Sequence, residues 1–119
     1  MKYFNAARRQ VCGPRGCVNL SEDQFKLLEA VASRQPGDVT TYPQLYKLIY
    51  DCDDPLMFPA EKLRLDALIH RTRDKFAMVG VEHPELVLET RREHGLTVGP
   101  LGADVPPQAD ALSASVNNQ

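Results

Sequence analysis

Tryptophan is absent and aromatic residues make up only 7% of the 119-residue chain, so a core must be built mainly from aliphatic side chains. No apolar run approaches the ~20 residues of a membrane-spanning helix. The opening MKYFNAARRQ lacks the apolar segment of a signal peptide. The expected location is therefore the cytoplasm. Cysteine is scarce: Cys12, Cys17 and Cys52 are an odd number, expected to be free thiols in a reducing compartment. C-x4-C supplies two metal ligands, and no second pair follows at a finger-like spacing. There is no glycine-rich phosphate loop, no motif-framed Ser or Cys nucleophile and no metal constellation. The expectation is a non-enzyme that needs no cofactor.

What is present is ordinary for one globular domain. The chain is 43% hydrophobic and 25% charged, which excludes disorder throughout and allows a single modest core. The formal net charge of −2 hides a polarised distribution. Residues 1–20 carry Lys2, Arg8, Arg9 and Arg15 and no acid; residues 21–59 carry three bases against seven acids; residues 60–99 carry seven of each. A duplex-binding face is compatible with this, with modest and salt-sensitive nonspecific affinity.

Alternation and turn residues predict an N-terminal β-hairpin over 1–20, turning at CGPRG. A first helix, 21–35, opens with the Ser21/Gln24 capping box and the Leu20/Phe25 staple. It buries Phe25, Leu28, Val31 and Ala32 and stops at Pro36-Gly37. Thr41 and Gln44 repeat the box before a second helix, 41–50, with Leu45, Leu48 and Ile49 on its apolar face. The loop 51–59, DCDDPLMFP, places acids beside Leu-Met-Phe within a proline frame. It reads either as a linker tucked under the next helix or as a partner-binding loop of Asp53, Asp54, Leu56 and Phe58. A C-terminal hairpin is expected over 86–98 with Gly95 at its turn, and the Pro, Ala, Ser and Asn-rich segment 100–119 as a disordered tail.

The chain is organised around the helix expected at 60–78. Leu65, Leu68, Ile69, Thr72 and Phe76 recur at i, i+3, i+4, i+7 and i+11, one narrow buried stripe. Leu63, Ala67, His70, Arg71 and Asp74 lie opposite, with Arg64, Arg73 and Lys75 toward the flanks. A face that combines guanidinium forks with small aliphatic groups suits the DNA major groove, where Arg grips guanine and apolar groups meet the thymine methyl. A solvated charged face of an ordinary amphipathic helix is the bland alternative.

Hairpin, three helices and a basic hairpin make an α+β chain with the winged helix-turn-helix plan, a domain over 1–99. Over about residues 15–99 the chain also resembles the OmpR/PhoB-type effector domains of bacterial response regulators. Leu20, Ser21, Phe25, Leu27 and Leu28 match that family's opening run, and LDALIHRTRDKF, residues 65–76, matches its third helix. Thr90, Arg92 and Gly95 match its wing. The chain departs from the pattern at Leu68, Thr72, Glu93 and Leu96.

The resemblance implies a domain that binds double-stranded DNA and regulates transcription; with no room for a receiver before the matched stretch, a stand-alone domain without phosphorelay control is expected. Its recognition helix would be 60–78 and its wing 86–98. Arg71 and His70 would meet base edges and Arg64 and Arg73 phosphates, unless Arg73 pairs internally with Asp66 or another carboxylate; Ala67 and Lys75 are further DNA-contact residues, and Thr90, Arg91 and Arg92 would sit at the minor groove. A homodimer on repeated half-sites is allowed. The alternative is a protein-interaction module docking on RNA polymerase or another transcription factor through 51–59.

Overall fold

The computed structural model describes residues 1–92 and 94–104. Among these, the fold is α+β: three α-helices and two small three-stranded antiparallel sheets. No described helix is long and apolar enough to cross a membrane.

The N-terminal sheet is a meander of β1 (Phe4–Asn5), β2 (Gln10–Gly13) and β3 (Gly16–Asn19). The first arm of the expected hairpin is not one strand, because residues 6–9 turn, with the Arg9 N–H donating to Ala6 O at 3.2 Å and Arg9 at φ 54°. The expected free thiols of Cys12 and Cys17 are instead a disulfide. Gly13 pairs with Gly16 around a Pro14-Arg15 turn, which sets Cys12 directly opposite Cys17 with Cα atoms 4.0 Å apart. Linear spacing cannot reveal that register. Cys52 is the remaining thiol.

Helix α1 (Glu22–Ala32) has both halves of its capping box, Ser21 Oγ accepting from the Gln24 N–H and Gln24 Oε1 from the Ser21 N–H. A two-residue strand, β4 (Thr40–Thr41), runs directly into α2 (Tyr42–Tyr50), capped the same way by Thr41 and Gln44. A 3-10 turn, Pro55–Met57, leads into α3 (Phe58–Met78), which starts inside what was expected to be loop. The expected stripe is the buried one: Leu65, Leu68, Ile69, Thr72 and Phe76 are each at most 5% exposed. The hydroxyl of Thr72 is satisfied within the helix, donating to Leu68 O at 2.7 Å.

A second 3-10 turn, Pro84–Leu86, precedes the hairpin of β5 (Leu88–Arg91) and β6 (Gly95–Val98). β4 joins this hairpin at β6, giving the order β4-β6-β5. The join requires glycine at position 95, because a Cβ there would lie 1.9 Å from Thr40 O. The folded body runs past residue 99, where the tail was expected to begin. The Leu101 N–H donates to Leu86 O, the Lys2 N–H donates to Gly102 O, and Ala103 is buried. The remainder of the expected disordered tail, 105–119, lies outside the described residues.

Candidate nucleic-acid interface

At about 100° per residue, the outward face of α3 centres on Leu63, Ala67, His70 and Asp74, all exposed. His70 Nε2 lies 3.7 Å from Asp74 Oδ2. Arg71 is exposed one step round toward a flank it shares with Arg64. The Arg64 guanidinium sits 4.0 Å from the centroid of the Tyr50 ring and donates to Glu61 Oε1 at 2.9 Å. Burial raises the Tyr50 hydroxyl above the usual tyrosine range, with the charges of Arg64 and Arg71 working against it. Arg64 therefore lies beside the C-terminal end of α2, with Arg71 on the same flank of α3.

The opposite flank is built differently. The Arg73 guanidinium donates twice to Leu88 O, from Nε at 3.0 Å and Nη2 at 2.7 Å, and once to Thr90 Oγ1 at 2.9 Å. Burial pulls its pKa below the ordinary arginine value. Arg73 was expected to hold a phosphate or to pair with Asp66; its donors instead tie α3 to β5, and Asp66 pairs with Lys62 at 3.1 Å. That hydrogen bond raises the Lys62 ammonium. Thr90, expected at the minor groove, has its hydroxyl on Arg73. Back on the Arg64 flank, Lys75, also expected at the DNA, is half-buried and donates to Asn19 O at 3.0 Å, docking α3 on the N-terminal sheet.

At the hairpin tip Arg91 and Arg92 are exposed, and the Arg91 Nε donates to Glu89 Oε1 at 3.1 Å. Arg92 has φ 38°, a left-handed turn conformation. His94 is exposed beside them, a tip residue outside the set expected from the sequence. Among the described residues the ion pairs leave out both Arg71 and Arg92. The side chains brought outward are thus Ala67, His70 and Arg71 on the helix, Arg64 on its flank, and Arg91, Arg92 and His94 on the hairpin.

The second expected surface is split. Leu56 is 87% exposed, whereas Phe58 is half-buried with its ring 5.0 Å from that of Tyr46, inside the fold. Asp54 caps the 3-10 turn by accepting from the Leu56 N–H, and Asp53 lies 3.6 Å from Lys47. Lys47 is raised and Asp51 lowered by their mutual hydrogen bond at the end of α2.

Tyr50, the ring under Arg64, was missed as part of the site. No local spacing links residues 50 and 64; only the crossing of α2 and α3 does. No protein-family model matches the chain, and no curated protein matches it significantly.

Proposed function

We propose that this chain is a winged-helix domain that binds double-stranded DNA with sequence preference and regulates transcription. Helix α3 enters the major groove and the β5–β6 hairpin lies against the adjacent minor groove. The element order and the joining of β4 to the hairpin support a winged-helix arrangement.

The observation that carries the reading is the Arg73 clamp. By gripping Leu88 O and Thr90 from one flank, it holds the hairpin in fixed relation to the helix. Ala67, His70 and Arg71 stay on the exposed surface, and Arg92 at the hairpin tip. A rigid pairing of a groove-sized helix with a basic hairpin suits simultaneous contact with two grooves, because binding then orders few side chains. Arg71 is the base-reading candidate, and Arg64, Arg91, Arg92 and His94 are the phosphate-facing ones. The small cation count and Asp74 on the face imply that affinity depends on a matched site more than on charge.

A second reading, docking on a protein such as RNA polymerase, is favoured by Leu56 and by Leu63, 73% exposed on the same helix face. Selection from a random duplex pool by purified protein at two salt concentrations separates the two. Enrichment of a shared site at both concentrations supports DNA recognition, and recovery without sequence enrichment favours protein docking.

A further inference from the structure

The basic N-terminal segment remains outside the surface described so far. The turn at residues 6–9 exposes Arg8 and Arg9. The Arg9 guanidinium lies 4.4 Å from the ring centroid of Phe25, in the first turns of α1. The Leu20 N–H donates to Arg9 O at 3.0 Å, and the Arg8 N–H to Asn5 Oδ1 at 3.2 Å, so the turn is fixed at both ends. A guanidinium held over an aromatic ring is restrained by that contact, so it loses less entropy on binding, while its N–H donors remain available to an anion.

The position of this turn relative to α3 is also defined. Gln10, next to Arg9, pairs with Asn19, whose carbonyl receives Lys75 from α3. Lys75 is one helical turn beyond Arg71, on the flank that also bears Arg64. The turn thus continues that flank onto the N-terminal sheet. Two acids border the route at the start of α1: Glu22 lies 3.5 Å from Lys26, and the charge of Asp23 is felt by Arg64 and Tyr50. Residues 1–20 themselves contain no acid.

We propose that Arg9, held over the Phe25 ring, and Arg8 beside it form a phosphate-binding position that extends the DNA contact from the Arg64 and Arg71 flank of α3 onto the N-terminal sheet. The ligand is the phosphodiester backbone of duplex DNA, engaged on the side of α3 away from the hairpin. The inference rests on the DNA-binding reading above.

The test measures the salt dependence of binding to a selected duplex and a scrambled one. The proteins are wild type, Arg8→Gln, the double variant Arg8→Gln/Arg9→Gln, Arg9→Lys and Arg71→Ala, with circular dichroism to verify folding. Each lost phosphate contact reduces the slope of log K against log salt by about 0.9. The double variant should lose about 1.8 in slope, and its deficit against wild type should shrink about tenfold between 0.05 and 0.2 M salt. It should keep the ratio of selected to scrambled affinity. Arg8→Gln, which removes no side-chain packing, should lose about half as much slope, and Arg9→Lys should retain the wild-type slope. An unchanged slope in Arg8→Gln and the double variant, with the affinity ratio intact and reduced by Arg71→Ala, overturns this inference alone. No duplex binding by the wild type at low salt overturns both it and the DNA-binding reading.

Discussion

Arg71 and Arg73 are chemically identical and two positions apart, yet the helix turns them about 200° from one another. Arg71 faces solvent, while Arg73 makes three hydrogen bonds to β5. Replacing Arg73 with Ala leaves Leu88 O without those donors and should cost about 1–3 kcal/mol. In a domain of this size each kcal/mol lowers the melting temperature by roughly 4–8 °C. Arg71→Ala should stay within about 0.5 kcal/mol of wild type. Thermal melts followed by circular dichroism compare the two, and equal melting temperatures would remove the clamp from the account. Gly95 makes a sharper case. With Thr40 O 1.9 Å from the position of an added Cβ, Gly95→Ala must push β4 off β6. It should lower the melting temperature by more than Arg73→Ala does, and amide exchange should show loss of protection at the β4–β6 pairing. The buried stripe of α3 was legible in the sequence because periodicity alone generates it. The role of Arg73 was not, since it depends on a carbonyl 15 residues away that comes into reach only after the hairpin folds back.

The three helices could be read before the structure because each carries its own local signals, capping boxes for α1 and α2 and a long stripe for α3. β4 could not, since two threonines are too few to show alternation and become a strand only by pairing with β6. The same holds for the end of the fold, where residues 100–104 lack large buried side chains yet make backbone hydrogen bonds. A chain ending at Leu101 loses the Lys2 bond to Gly102 O and the burial of Ala103. It should melt several degrees below a chain ending at Asp104, the equivalent of about 1 kcal/mol. Identical melting curves would place the boundary of the fold no later than Leu101.

Helix α2 adds a pH dependence. Burial raises the Tyr46 hydroxyl above the tyrosine value of about 10. The unfolded chain then releases this proton first, so the contribution is intact below pH ~10 and declines as pH rises through the folded value. Urea midpoints should fall between pH 8 and pH 11, and fall less in Tyr46→Phe. The same loss in both proteins would mean that Tyr46 is not responsible.

Taken whole, the molecule separates its arginines by function. Arg73 holds helix to hairpin from within, Arg64 and Arg9 lie over aromatic rings, and Arg71 and Arg92 face outward from two different elements. If α3 reads bases and the hairpin only follows groove width and phosphate charge, the outward pair must differ in kind. Arg92→Ala should weaken selected and scrambled duplexes alike and flatten the salt dependence by about one charge. Arg71 is the decisive position, since a guanidinium on a guanine edge is worth about 1–3 kcal/mol of discrimination. The most direct measurement is a titration of Arg71→Ala and wild type against the selected duplex and its scrambled counterpart at fixed salt. The variant, folded by circular dichroism, should lose roughly 5–150-fold more affinity for the selected duplex than for the scrambled one. Equal losses on both would contradict base reading by α3.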